Sequence, residues 1–187
     1  MKKHKTEIEA CQGLNGGSPK KFFQKPLREE VKTMFKKILF CTDFSENSHY
    51  AFTYALDLSK TYKSSLLILH VTPPPVHPEQ LSTYLPPEKL EELKKSQKNE
   101  VDHLLEENYL KKMNRFKNYK VAFKEGEPFM EIIRMVKKGP ADLIVMGTHG
   151  RTGLDHVLFG STAEKVVRKS PCPVLTIRLP GKKFRMP

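Results

Sequence analysis

From Met34 onward, short apolar runs alternate with stretches that are apolar on one face only, and this alternation restricts the chain to a parallel sheet with helical crossovers. Lys37 to Thr42 (KILFCT) is apolar on both faces, as a central parallel strand must be when helices cover it twice. It is the first strand. Asp43, Ser45 and Asn47 then offer capping oxygens, with Asp43 to Glu46 and its acidic third residue on reading as a capping box. Tyr54, Ala55, Leu58 and Tyr62 recur at helical spacing, so the first helix runs to about Tyr62. Ser65 to Val71 (SLLILHV) is the second strand, ended by Pro73, Pro74 and Pro75, which cannot continue a ladder.

Six prolines between Pro73 and Pro87 predict an extended surface loop, and a second helix follows it. Its stripe is Leu90, Leu93, Val101, Leu104 and Leu105. Tyr119 to Lys124 alternates like a third strand, and Phe129, Ile132, Ile133 and Val136 stripe a third helix that Gly139 and Pro140 stop. Asp142 to Met146 is a fourth strand, Thr162 to Lys169 a fourth helix and Pro173 to Arg178 a fifth strand, whose prolines place its start at a sheet edge. The expected fold is α/β: a doubly wound five-stranded parallel sheet, order 3-2-1-4-5, with helices on both faces. In that order the first and fourth strands are neighbours whose crossovers leave on opposite faces. Their carboxyl ends open a crevice, where such sheets bind ligands.

A chain of 187 residues with 38% hydrophobic content fills one core, so a single domain over residues 34–179 is expected. Residues 1–33 read as a flexible basic extension and 180–187 as a basic tail, with Met34 a candidate start. The net charge of +12 is concentrated there: eight Lys and Arg face four Glu in residues 1–33, and four more stand unopposed in residues 178–187. Solvated flanks therefore account for most of the basicity, and nucleic acid is not an expected partner. The longest apolar runs fall far short of the roughly 20 residues that span a bilayer, and the basic start lacks the apolar stretch of a secretory signal. A cytoplasmic protein without membrane contact is expected. Cys11, Cys41 and Cys172 form no metal-ligand or redox spacing and are expected as free thiols, Cys41 packing as a small apolar residue.

The chemistry-bearing segment follows the fourth strand: Gly147-Thr148-His149-Gly150, nine residues, then Gly160-Ser161-Thr162 at the start of the fourth helix. Glycines allow a backbone to turn several N–H groups toward one anion, and the helix adds its unbonded first-turn donors. Phosphate is the natural ligand. A structural reading stands beside it, in which Ser161 caps the helix and Glu164 completes a capping box. Asp43 likewise is either a cap or a carboxylate facing the crevice, where it would meet a ribose, an adenine edge or a metal. His149 and Arg151 can donate to phosphate, whereas His156 is read as an exposed loop histidine. Phosphate-loop, dinucleotide, zinc-protease and nucleophile-elbow motifs are missing, so kinase, dehydrogenase, metalloprotease and hydrolase readings lack support.

These residues resemble the universal stress protein family. Its nucleotide-binding members carry Gly-x-x-Gly, nine residues, Gly-Ser/Thr, met here by Gly147, Gly150, Gly160 and Ser161. KKILFCTDFSE (Lys36 to Glu46), LLILHV (Leu66 to Val71), DLIVMGTHGRTG (Asp142 to Gly153) and PCPVL (Pro171 to Leu175) match as well. The resemblance implies a homodimer joined through the last strand that binds ATP, with Mg2+ or Mn2+ as an accompanying cation, and acts in stress response rather than as a conventional enzyme. It puts the nucleoside at Cys41, Thr42, Asp43, Val71 and Met146, and the phosphates at Gly147, His149, Gly150, Arg151, Gly160, Ser161 and Thr162. Cys41 stands where relatives commonly have proline, and residues 1–33 have no counterpart in the family core. The leading function is a nucleotide-responsive regulator read by a protein partner that the sequence does not name. Slow ATP hydrolysis or phosphotransfer, and a nucleotide-free scaffold, are the alternatives.

Overall fold

A computed structural model describes residues 35–74, 85–139, 141–150 and 160–181. Strand β1 (Lys37–Thr42) is buried after its first residue, and β4 (Leu143–Gly147) before its last, because both lie at the centre of the sheet with helices above and below. The other strands are β2 (Ser65–Thr72), β3 (Tyr119–Glu125) and β5 (Val174–Ile177). All pairings are parallel and the order is β3-β2-β1-β4-β5, as expected.

The period-two alternation of β1 sends Ile38 and Phe40 to one face, where they meet Phe52, Ile68, Val145 and Tyr109. Leu39 and Cys41 point to the other, against Leu69, Ile144, Val136 and Val166. Helices α1 (Glu46–Tyr62) and α2 (Pro87–Asn108) supply the first face together with a 3-10 turn (Leu110–Met113). Helices α3 (Pro128–Lys138) and α4 (Ser161–Lys169) cover the second. Each fully buried Ile, Leu, Val or Phe of these layers contributes about 1.5–3 kcal/mol. Tyr109, completely buried, is the hub of the first layer, its ring 4.7 Å from Phe52 and 5.4 Å from Phe40.

The structure corrects three local expectations. Helix α1 is capped by Ser45, whose side chain accepts from the Ser48 N–H, while Asp43 folds back to accept from the Ser45 N–H at 3.1 Å. Helix α4 has Gly160 as its N-cap with no side-chain bond, so Ser161 is the first helical residue and the expected capping box is not formed. The stripe of α2 is only partly covered: Leu105 is buried, but Leu93 is 49% exposed. The reason is position, since the first half of α2 stands clear of the sheet. No helix among the described residues is long and apolar enough to cross a membrane.

Candidate functional site

Two turns meet where β1 and β4 part. The turn after β1 is built on a hydroxyl chain: Tyr109 donates to Thr42 Oγ1, Thr42 donates to Ser48 Oγ at 3.1 Å, and Ser48 donates to the Ser45 carbonyl at 2.8 Å. Every hydroxyl is thereby satisfied although the group is buried. Burial pushes the Tyr109 phenol up to about 12, so it stays a donor at any physiological pH. Thr42 Oγ1 also accepts from the Phe44 N–H at 3.0 Å. Phe44 sits at φ 62, a left-handed conformation that bulky residues rarely adopt, with its ring 4.6 Å from His70 and 5.9 Å from Tyr109. These contacts hold the turn so that Asp43 faces the turn after β4. Beside it, burial and then Lys112 hold the His49 imidazole below its ordinary range, and its buried Nε2 has no hydrogen-bond partner among the described residues.

The three glycines of the second turn serve different ends. A Cβ on Gly147 would lie 2.9 Å from Asn47 Cβ, so this glycine admits the first turn of α1 against β4. On Gly150 it would lie 2.6 Å from Asp43 Oδ2, which places the loop backbone directly across from the β1 carboxylate. On Gly160 it would meet only ordinary contacts, the nearest being the Thr148 carbonyl at 3.4 Å. None of the three has positive φ, so close approach rather than backbone conformation explains Gly147 and Gly150, and neither reason applies to Gly160. The Gly160 N–H donates to the Thr148 carbonyl at 2.8 Å and the Thr148 N–H donates to the Ile177 carbonyl, which ties the loop's two ends to each other and to β5.

Between the turns lies a cleft of about 580 Å³, within the range of small-molecule sites. Its β1 and β2 wall carries Cys41, Thr42, Asp43 and Val71, and its β4 wall carries Met146, Gly147, His149 and Gly150. Gly160, Ser161 and Thr162 close it with the first-turn N–H groups of α4, which have no intrahelical acceptor. The fold thus assembles these expected site residues in one place; Arg151 and His156 lie outside the described residues. The Cys41 thiol is driven far above its ordinary range by burial, which makes it wall rather than nucleophile. Among the described residues no three His, Cys, Asp or Glu side chains cluster as a metal site.

Sequence reasoning missed part of the lining. His70 shows its ring here, with Nδ1 donating to the Thr42 carbonyl at 2.9 Å, and its signal was a lone polar residue inside an apolar strand. Ile132 and Pro128 come from α3, and Gln97, Glu100 and Val101 from α2. Helical spacing shows which residues share a face but not what that face meets.

Residues 34–178 match the family model described as the Universal stress protein family. A universal stress protein of Methanocaldococcus jannaschii is 34% identical over 154 residues, covering 81% of this chain and 86% of its own. The structure of the universal stress protein UspA from Lactobacillus plantarum aligns with a TM-score of 0.67 at 27% identity, over 77% of this chain and 98% of that one. An Arabidopsis thaliana universal stress protein family structure with AMP bound shares the fold at 24% identity and a TM-score of 0.53, over 79% and 94% of the two chains.

Proposed function

The chain belongs to the universal stress protein family, and from that premise we propose that it is an ATP-binding regulatory protein of the cytoplasm, acting in stress response as a homodimer whose nucleotide state is read by a protein partner. The observation that carries this reading is the opposition of Gly150 and Asp43 across the cleft, with the α4 N-terminus completing its floor. Backbone N–H groups at one end suit a polyanion, and a carboxylate beside buried strand ends suits the hydroxyls or amine of a nucleoside. The phosphates then belong with Gly150, Gly160, Ser161 and Thr162, and the nucleoside with Thr42, Asp43, Val71 and His70. Adenine nucleotide at this fold is consistent with the AMP-bound Arabidopsis structure. A ligand held only by one arrangement of the two turns stabilises that arrangement, which is all a regulatory module requires.

Calorimetric titration of ATP into the protein and its Gly150→Val and Gly160→Val variants tests this. Gly150→Val drives a side chain into Asp43, and Gly160→Val leaves the fold in ordinary contact while filling the cleft beside Thr148. Each is expected to weaken ATP by roughly tenfold to a hundredfold, the loss of one charge-assisted contact of about 1.5–3 kcal/mol. Unchanged affinity in folded variants would overturn the site. Asp43→Ala is expected to weaken ATP but not free triphosphate, which separates the nucleoside end from the phosphate end.

A further inference from the structure

At the end of the sheet away from the cleft, the C-terminus of α1 and the segment between the 3-10 turn and β3 frame a shallow groove of about 560 Å³. Lys60 and Lys63 line it from one side, Arg115 and Lys117 from the other, and no Asp or Glu takes part in its lining. All four cations are exposed, and none forms an ion pair among the described residues. Lys89 and Lys94 of α2, Lys111 of the 3-10 turn and Arg134 of α3 each bond a carboxylate three or four residues away, whereas Lys95, Lys98, Lys137 and Lys138, like the four cations of the groove, form no ion pair among the described residues. The favourable field of a helix C-terminus explains Lys60 and Lys63. It does not explain why a second, separate segment brings Arg115 and Lys117 to the same place.

Backbone geometry sharpens the point. Lys63 (φ 55) and Asn114 (φ 56) are two of the three non-glycine residues with positive φ among those described, and both border this groove. Glycine would hold either position at lower conformational cost. The side chains kept there instead are a cation and an amide, both donors to an anion. Within the groove's lining Phe116 is the only aromatic residue and it is half-buried, so no exposed platform for stacking bases is present among the described residues. The groove also presents no exposed large apolar residue for insertion into a membrane surface.

We propose that this groove is a second anion site, independent of the cleft, which binds a small multiply charged phosphate compound through Lys60, Lys63, Arg115 and Lys117. A polyphosphate chain carries several linked charges to set against the four cations, whereas a single orthophosphate carries fewer. The test uses inorganic tripolyphosphate as probe, orthophosphate as comparison and the intact chain labelled for amide nuclear resonance. Tripolyphosphate is expected to shift the amides of residues 60–64 and 114–118, with orthophosphate at least about tenfold weaker. The double variant Lys63→Gln, Arg115→Gln alters only exposed side chains and is expected to lose about tenfold or more of tripolyphosphate affinity at the groove while ATP binding at the cleft is kept. Absence of shifts in both segments at millimolar tripolyphosphate, or shifts undiminished in the folded double variant, would refute the site. A single-stranded RNA that binds the same segments more tightly than tripolyphosphate of equal charge would also overturn the proposal, by assigning the groove to nucleic acid.

Discussion

Gly147 shows how one residue type can carry unlike duties within a single motif. Its missing Cβ leaves room for Asn47, and Asn47 in turn accepts the Leu179 N–H at 3.2 Å, so β4, α1 and the segment after β5 lock together at that point. The neighbour is a helix start rather than the end of a flexible side chain, and it cannot move aside alone. Gly147→Ala is therefore expected to lower folding stability by about 1–3 kcal/mol, the usual effect of overpacking a close contact. Chemical denaturation read by circular dichroism checks this, and a midpoint equal to that of the parent would show that α1 yields freely. Gly160→Ala is the matched control, because its Cβ meets nothing closer than 3.4 Å. Spacing in the sequence marked all three glycines alike. All three line the cleft, and only the packing around each shows that Gly147 also makes room for α1.

Among the elements, β5 is short and lies at the edge of the sheet, with its far side unpaired among the described residues. Val174, Leu175 and Thr176 are each only half-buried there, and a free ladder edge invites pairing. We expect β5 to pair with its counterpart in a second copy, and Val174→Pro to weaken the dimer by removing an edge donor. Sedimentation equilibrium at tens of micromolar decides this: a monomeric mass for the parent chain would exclude the interface. The strands themselves were legible to within a residue or so because doubly apolar runs bounded by Gly, Pro and Asp admit few alternatives, and the order was the one favoured for a doubly wound sheet with right-handed crossovers. Caps were less legible. Asp43 and Ser45 both carry an oxygen that can cap α1, and the choice between them falls to Thr42 and Tyr109, which fix the turn from 67 residues apart in sequence. The stripe of α2 misled for a related reason, since Val101 and Leu104 line the cleft while Leu93 faces outward.

For the whole molecule, the distribution of burial bears on how much of the chain the fold needs. Among the described residues, the buried members of both apolar layers run from Ile38 and Leu39 at the start of β1 to Ile177 at the end of β5, with Phe35 packed against the first layer. The family match covers nearly the same span, residues 34–178. We therefore expect residues 34–179 to fold alone, with a cooperative transition within about 0.5 kcal/mol of the full chain, because the buried residues of both layers described above lie inside that span. The charge count adds a second expectation. The two basic flanks, 1–33 and 178–187, hold most of the net +12, so the body should bind less tightly to polyanions at large while keeping the groove formed by Lys60, Lys63, Arg115 and Lys117. Thermal unfolding of a chain beginning at Met34, followed by tripolyphosphate titration at two salt concentrations, tests both at once. Loss of the cooperative transition would show that residues 1–33 belong to the fold. A folded body whose groove amides no longer respond to tripolyphosphate would show that the flanks, and not the groove, hold the anion.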